Sequence, residues 1–311
     1  MNRGDNMPKF SIVIPVYNVE KFIKRTLDSI KSQTFKDYEV IVVNDGSTDK
    51  SMDICKKYDV KIINSKHVEV SEARNIGAKQ AKGEYLVFLD SDDWWDKDLL
   101  KEINKSLDND PDLVRFQVRT VTDNDERTDY NEEEFTGLTG EEAFNRIVKF
   151  HYIESIWCYA IRRKYYEKEK FEFKKGTIHE DFGLTPLVVI KASRVNSIKY
   201  IGYNYYRRSG SIMNTPDYNW TKRKVKDFYN HYLNLDKEIE KVNVDKKIFK
   251  SYIANSMIMK ICELNNPEYK EYKKKLKEHK VYDNLLTDTF SRKIKKTIYK
   301  ISPKLAVKFI K

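Results

Sequence analysis

A run of apolar residues leads directly into three carboxylates at residues 84–93, Glu-Tyr-Leu-Val-Phe-Leu-Asp-Ser-Asp-Asp. The uninterrupted apolar part predicts a strand that is covered on both faces, as in a parallel sheet. Side chains two apart on a strand share a face, so Asp90 and Asp92 are expected to project to the same side. Two such carboxylates suit a hard cation such as Mg²⁺ or Mn²⁺, whose other ligands are usually substrate phosphates. The alternative is an Asp-rich turn that caps the next helix.

Short β-branched runs alternate with helical patterns on both sides of this strand, from residue 10 to residue 120. This alternation is typical of βαβ units and predicts a mostly parallel sheet. Beyond about residue 216 only helical patterns occur, so we place a domain boundary there. An acidic loop is predicted at 123–136 and a helix from about Asp96. The predicted strand regions are 10–16, 39–44, 61–64, 84–89, 112–119 and 195–207.

Polar residues end the first two strands as well as the fourth. The first strand ends in Pro15-Val-Tyr17-Asn18 and the second in Asn44-Asp45-Gly46. Ligands of parallel α/β sheets bind beyond the carboxyl ends of the strands, so these residues are candidates for a binding site. No glycine follows the first strand, which excludes the glycine-rich turn of a nicotinamide-binding domain. For Asp45 the alternative is an Asx turn with Gly46 at φ > 0.

The net charge of +11 is concentrated near the C-terminus of the 311 residues. Residues 268–311 contain 14 basic and 5 acidic side chains, which account for nine of those charges. A basic segment on a near-neutral body indicates an anionic partner. No apolar run approaches the roughly 18 residues of a membrane span, and no secretion signal is predicted. Three widely spaced cysteines argue against a disulfide framework or zinc site and favour a reducing cytosol.

Apolar residues recur at helical spacing in this basic segment, with lysines and an arginine between them. The pattern predicts a basic amphipathic helix, which would lie on an anionic membrane surface. The alternative is a helix that docks its apolar face on the protein body. Nucleic acid is not the expected partner, because the polar face lacks aromatic residues that stack on bases. The apolar residues are Leu286, Phe290, Ile294, Ile298 and Ile301.

Four sequence motifs occur in a characteristic order and spacing along the chain. They are Ser11-Ile-Val-Ile-Pro-Val-Tyr-Asn18, Val43-Asn-Asp-Gly-Ser-Thr-Asp49, Ala73-Arg-Asn-Ile-Gly77 and Phe88-Leu-Asp-Ser-Asp-Asp93. Together they resemble the family 2 glycosyltransferases of GT-A fold, closely over residues 8–100 and more loosely to about 212. The resemblance implies an α/β nucleotide-diphospho-sugar transferase with a Rossmann-like mixed sheet and a helical C-terminal extension.

The implied domain boundaries follow the same resemblance. The GT-A catalytic domain would span residues 8–215, with a nucleotide-sugar half at about 8–120 and an acceptor half at about 121–215. The helical region would span 216–311 and end in the basic amphipathic tail.

The resemblance also implies roles for residues near the nucleotide. Pro15 and Tyr17 resemble the residues that pack beside the base, and Asp45 resembles the carboxylate that hydrogen-bonds uracil. Arg74 resembles the family's arginine near the base and diphosphate, although on the residues alone it could equally be a solvated surface side chain. UDP is therefore the expected carrier.

Further motifs are implied at the diphosphate. Asp90 resembles the ribose-side residue of the Asp-x-Asp motif, and Asp92 the ligand of a Mn²⁺ or Mg²⁺ ion on the donor diphosphate. The stretch Tyr206-Arg207-Arg208-Ser209-Gly210-Ser211-Ile212 resembles a segment that closes over the diphosphate, which makes Arg207, Arg208 and Ser211 donor-binding candidates. For the two arginines the alternative is a solvated strand end.

His179-Glu180-Asp181 resembles the family's Glu-Asp motif, in which the Asp is the general base. An attacking acceptor hydroxyl must lose a proton, and Asp181 is the candidate that accepts it, with Glu180 beside it. A single displacement with one base inverts the anomeric centre. The alternative is that both carboxylates cap the helix that follows. His179 has no metal partner at a recognisable spacing and is interpreted as structural.

The sequence thus predicts a cytoplasmic, metal-dependent, inverting glycosyltransferase, peripheral on the inner face of the cell membrane. Its expected acceptor is a cell-surface glycan or a lipid-linked molecule. Two other classes stay open: a non-catalytic nucleotide-sugar-binding or membrane-recruitment protein with a retained pocket, and a glycoside hydrolase with two carboxylates. A nucleotidyltransferase is disfavoured, since it would show a glycine-rich basic loop after the first strand.

Overall fold

The computed structural model describes residues 7–208 and 217–304, and the chain divides into two compact units. The first unit comprises Met1–Gly176 and Val188–Asn214, and the second Thr177–Leu187 and Thr215–Lys311. The C-terminal part of the second unit begins close to the boundary placed near residue 216. The short segment Thr177–Leu187, which the sequence analysis assigned to the 8–215 domain, groups with the second unit.

Within the described residues of the first unit, ten strands form one mixed sheet. The strands are β1 (Phe10–Val16), β2 (Tyr38–Asn44), β3 (Lys61–Asn64), β4 (Tyr85–Phe88), β5 (Trp94–Trp95), β6 (Leu113–Thr122), β7 (Arg127–Asp129), β8 (Phe135–Leu138), β9 (Tyr159–Arg162) and β10 (Val195–Arg207). The spatial order is β3-β2-β1-β4-β9-β6-β10-β5, with β7 beside β6 and β8 beside β10. The fold class is therefore confirmed: a mixed α/β sheet with a helical C-terminal region.

Strands β1 to β4 pair in parallel, and β9 joins β4 and β6 in antiparallel fashion. All residues of β1 and β4 are buried, as their apolar sequences predict. The parallel arrangement brings the carboxyl ends of β1, β2 and β4 to one edge of the sheet. The polar residues that follow these strands therefore share that edge.

The helices of the first unit cover the sheet. They are α1 (Ile23–Lys31), α2 (Ser51–Cys55), α3 (Glu69–Gln80), α4 (Leu99–Lys105), α5 (Gly140–Ile147) and α6 (Arg163–Lys168). Helix α3 lies directly against β1, because Gly77 has no side chain: a Cβ there would overlap Cγ1 of Val13. The predicted loop at 123–136 is wrong in part, since it contains β7 and the start of β8. The helix predicted from Asp96 begins at Leu99, after the short strand β5.

Helix α7 (Glu180–Ile190) begins in the second unit, and the division between the units falls within it. The other helices of the second unit are α8 (Tyr218–Ile239), α9 (Lys247–Ile261), α10 (Asn266–Glu278) and α11 (Phe290–Ile301). Near the start of α7, the ring of Phe182 stacks on that of Phe228 in α8, with 3.8 Å between centroids. None of the helices in the described parts of the chain combines the length and apolar character that a membrane crossing needs.

Candidate active site

The turn after β4 carries Asp90 and Asp92, and each carboxylate faces an arginine. Arg74, 3% exposed on α3, donates from Nη2 to Oδ1 of Asp90 over 2.7 Å. Arg208, which follows β10, donates from Nε to Oδ2 of Asp92 over 3.0 Å. Both carboxylates are about one quarter exposed. This edge of the sheet thus presents two carboxylates and two arginines, and the arginines come from positions far apart in the chain, 74 and 208.

Asp93, the third carboxylate of the turn, has a structural role that the sequence analysis missed. It is buried and accepts hydrogen bonds from the Tyr203 hydroxyl at 2.6 Å and the Tyr206 backbone N–H at 2.7 Å. Burial, and then the charges of Asp92 and Asp90, raise the pKa of Asp93 well above its ordinary value. These bonds fix the turn to β10, from which Arg207 and Arg208 extend.

The environment of Asp92 is suited to a cation. Burial and then the neighbouring charge of Asp90 raise the pKa of Asp92, while Arg208 opposes the shift. No group of three or more His, Cys, Asp and Glu side chains that could hold a metal ion occurs in the described ranges. A protein-only cage is therefore absent from those ranges, but a Mg²⁺ or Mn²⁺ ion held by one or two carboxylates and completed by substrate phosphates fits the residues present.

A third arginine, Arg25 of α1, also contacts this turn, and the sequence analysis missed it. Arg25 donates from Nη2 to the backbone carbonyl of Asp92 over 2.8 Å. Its guanidinium carbon lies 3.8 Å from the Trp94 ring centroid and 4.5 Å from that of Tyr206. Arg208 similarly stands 4.8 Å over the Phe22 ring. Stacking of this kind limits the positions that both guanidinium groups can take.

The predicted base-binding residues lie at the ends of β1 and β2. Tyr17 is exposed, and its ring stands 4.6 Å from that of His67, a residue without a sequence signal of its own. Pro15 is buried in β1. Asp45 is buried, with 4% of the residue exposed. Its carboxylate accepts hydrogen bonds from Ser65 Oγ at 2.9 Å and from the backbone N–H groups of Val68 at 2.5 Å and Glu69 at 2.9 Å.

These contacts give Asp45 a structural duty at the start of α3. A carboxylate has about four acceptor positions, so the three bonds leave room for a further donor such as a base N–H. Gly46 follows at φ 80°, as the Asx-turn alternative expects, but the side-chain acceptor in this turn is Asn44 Oδ1, which accepts from the Ser47 backbone N–H at 2.9 Å. The structural role of the Asp45 carboxylate is thus at the start of α3, and it is compatible with a contact to a base.

Glu180 and Asp181 occupy the first turn of α7 in the second unit, whereas the candidates described above belong to the first. Before them, His179 has φ 59° and its Nε2 lies 3.5 Å from Nζ of Lys260. Burial, and then the charges of Lys260 and Lys224, lower the pKa of His179 to about 3. A neutral ring that accepts from a lysine agrees with the structural interpretation of His179. Arg207 is exposed at the end of β10, and Ser211 lies outside the described residues.

The mixed sheet with acidic and arginine side chains at its carboxyl edge defines the class: an α/β nucleotide-diphospho-sugar transferase of GT-A fold. The profile of the family described as "Glycosyl transferase family 2" matches residues 11–172, more than half of the chain. The chain belongs to this family.

Curated relatives and solved structures agree with that assignment. The uncharacterized glycosyltransferase EpsJ of Bacillus subtilis is 29% identical over 300 residues, which are 89% of this chain and 85% of EpsJ. Glycosyltransferase GlyA of Streptococcus pneumoniae is 29% identical over 238 residues, but that match spans only 32% of GlyA's length. The crystal structure of Staphylococcus aureus TarS 1–349 in complex with UDP-GlcNAc superposes with a TM-score of 0.67 at 22% identity, covering 89% of this chain and 79% of that one.

Proposed function

We propose that this chain transfers a sugar from a nucleoside-diphosphate sugar, with UDP as the carrier, to a hydroxyl group, with inversion at the anomeric carbon. The observation that carries the proposal is the pairing of Asp90 with Arg74 and of Asp92 with Arg208 at the carboxyl edge of the sheet. Departure of a nucleoside diphosphate builds negative charge on its phosphates, and pre-positioned cationic groups stabilise that charge. Arg74 and Arg208 would serve in this way.

The reaction is proposed to depend on a divalent cation, Mn²⁺ or Mg²⁺, with Asp92 as its main protein ligand and Asp90 beside it. When bound, the ion would neutralise charge on the leaving diphosphate. Arg208 uses only Nε on Oδ2 of Asp92, so its other N–H groups would be available to a phosphate oxygen of the donor. Arg25 would hold the backbone at Asp92 in place.

Asp181 is proposed as the general base and Glu180 as its neighbour on the acceptor side. The support is the Glu-Asp motif and its place in the first turn of α7. Both carboxylates lie at the N-terminal end of this helix, where negative charge on a side chain is stabilised. One carboxylate that deprotonates the acceptor in a single displacement gives inversion.

The acceptor is proposed to be a cell-surface glycan or a lipid-linked molecule. Among the relatives, a protein named poly(ribitol-phosphate) beta-N-acetylglucosaminyltransferase TarS, from Staphylococcus aureus, is 39% identical over 110 residues, one third of this chain. That name, and the UDP-GlcNAc complex, favour a UDP-sugar and a cell-envelope acceptor here. We further propose that the enzyme is cytoplasmic and works on the inner face of the membrane, with the basic C-terminal segment as support.

Release of free nucleoside diphosphate tests the proposal. Purified protein would be incubated with UDP-, GDP- and dTDP-sugars, with Mn²⁺ or with a chelator. We expect slow, metal-dependent release from one donor, lost in Asp92→Ala and kept in Asp53→Ala, an exposed carboxylate of α2. Equal release by Asp92→Ala would refute the metal role. If no donor is hydrolysed but UDP binds in calorimetry, a non-catalytic nucleotide-sugar-binding protein becomes the better explanation. Cleavage of oligosaccharides in the absence of donor would indicate a glycoside hydrolase.

A further inference from the structure

Helix α11 presents an apolar stripe to solvent. Phe290, Ile294 and Ile301 are 80%, 44% and 67% exposed. Positions four and seven residues apart fall on one face of a helix, so the three side chains form a continuous row. The opposite face carries Tyr299, which is buried and reaches Asn255 Oδ1 at 3.4 Å. The helix is therefore anchored by Tyr299 and leaves its apolar row uncovered by the described residues.

Residues of α10, of α11 and of the segment between them line a cavity of about 650 Å³ with a strongly basic lining. One carboxylate, Asp283, is among the lining residues and is already paired with Lys300 at 2.9 Å. Closely spaced lysines repel one another, so a site of this composition favours an anion. The lining residues are Lys270, Lys273, Lys274, Lys277, Lys280, Tyr282, Asp283 and Lys300.

The apolar stripe and the basic cavity are joined through the backbone at the end of α11. Lys300 lines the cavity, and the next residue, Ile301, belongs to the stripe. Lys273 on α10 donates from Nζ to the carbonyl of Ile301 over 2.6 Å. The stripe and the cavity therefore meet at the C-terminal end of α11.

We propose that this α10–α11 surface docks on a membrane that contains anionic lipid: the stripe enters the headgroup boundary and the cavity takes up a lipid phosphate. The inference deepens the proposed placement of the enzyme on the membrane and rests on it. An exposed apolar row flanked by lysines matches the lipid interface, which offers hydrocarbon and negative charge together. A soluble polyanion such as nucleic acid offers the charge but gives the three apolar side chains nothing to bury against.

Sedimentation of the full chain with lipid vesicles tests this inference. We expect binding to vesicles of phosphatidylglycerol and phosphatidylcholine, and at least tenfold weaker binding to phosphatidylcholine alone. Two triple variants should each weaken binding to the anionic vesicles at least tenfold: Phe290→Ser with Ile294→Ser and Ile301→Ser, and Lys270→Gln with Lys274→Gln and Lys277→Gln. A third triple variant, Lys237→Gln with Lys241→Gln and Lys247→Gln, removes the same charge from exposed residues outside the cavity and should stay within twofold of wild type.

Each other outcome overturns the inference. Equal losses in the two lysine variants would mean diffuse attraction by net charge, with no particular site. Loss with the lysine variant but not the serine variant, with displacement by glycerol phosphate, would indicate a soluble anion as ligand. If the wild type is a dimer, the serine variant is a monomer and vesicle binding is unchanged, the stripe is the contact with a second copy of the chain. Donor hydrolysis is measured on every variant: if it persists while vesicle binding is absent, only the docking inference fails.

Discussion

The Asp45 carboxylate joins three elements of the sheet edge, because it accepts hydrogen bonds from Ser65 and from the first N–H groups at α3, Val68 and Glu69. Acceptors at a helix start contribute about 1 kcal/mol, and up to about 2 kcal/mol when negatively charged and partly buried. We expect Asp45→Ala to lower the free energy of unfolding by about 1–2 kcal/mol without any nucleotide present, as measured by urea denaturation.

The same variant separates the two duties of Asp45. If the residue also contacts the base, calorimetry should show weaker UDP binding at a temperature where the variant is still folded. Unchanged stability together with weaker UDP binding would contradict the structural duty. Asp53→Ala, on an exposed turn of α2, provides the control.

His179 makes the stability of the chain depend on pH. Burial and then the charges of Lys260 and Lys224 lower its pKa from 6.5 to about 3, so between these values the unfolded chain binds a proton that the folded chain does not. The contribution of His179 to the free energy of unfolding is fully present above about pH 6.5. It declines as the pH falls towards 3, by at most about 1.4 kcal/mol per pH unit.

We expect His179→Gln, which can still accept from Lys260 Nζ, to lose less stability than wild type between pH 7 and pH 5. Urea denaturation at both pH values measures the difference. Parallel declines in the two proteins would show that other groups control the acid sensitivity. His179 is partly buried, whereas His279, which follows the last residue of α10, is exposed and serves as the control position.

At the scale of elements, the contact between α3 and β1 depends on one missing side chain. A Cβ at Gly77 would overlap Cγ1 of Val13 and lie 3.3 Å from its Cβ. Overpacking of a buried contact costs about 1–3 kcal/mol. We expect Gly77→Ala to destabilise the chain by that amount in thermal or urea unfolding. Combined with Val13→Ala, it should lose less than the sum of the two single losses, since that change removes the methyl groups that the new Cβ would meet. A strictly additive double variant would contradict the direct contact.

Strands rich in apolar, β-branched or aromatic residues are predicted well from the sequence. Strands β1, β3 and β10 have the predicted bounds, β2 begins one residue earlier than predicted, and β4 is one residue shorter at each end. Strand β7 (Arg127–Asp129) was assigned to a loop because its residues are exposed and mostly charged, although it forms a hairpin with the preceding β6. Strand β8 pairs with β10, which lies far along the chain, and such a pairing leaves no local pattern in the sequence.

The candidate site shows the same limit. The motifs identify Asp90, Asp92, Arg74 and Arg208, but they do not predict which arginine pairs with which carboxylate, or the role of Asp93. Asp93 is held by Tyr203 and Tyr206, more than 100 residues away in the chain. Arg25 belongs to an amphipathic helix, in which the sequence pattern predicts a solvent-exposed arginine. In the structure, its guanidinium stacks on Trp94 and Tyr206. The chemistry of carboxylates could be read from sequence, whereas their partners depend on the fold.

At the scale of the molecule, the proposed tasks divide between the two units. The donor candidates Asp92 and Arg208 belong to the first unit, and the candidate base Asp181 to the second. A residue that only takes the acceptor proton affects turnover without affecting affinity for the nucleotide, whereas a residue that holds the diphosphate affects both. Variants at the donor residues of the first unit should therefore lose both nucleotide affinity and turnover, whereas variants at Asp181 should lose turnover alone.

We expect Asp181→Asn to bind UDP within about twofold of wild type in calorimetry and to lose at least 10²-fold in sugar transfer, because a neutral amide cannot accept the proton. Asp92→Ala should lose both metal-dependent UDP binding and transfer. Asp288→Asn, an exposed carboxylate of the second unit, should leave both unchanged. Full transfer by Asp181→Asn would remove the residue from the reaction and leave its carboxylate as a cap of α7, whereas weakened UDP binding in that variant would assign it to the donor instead of the acceptor.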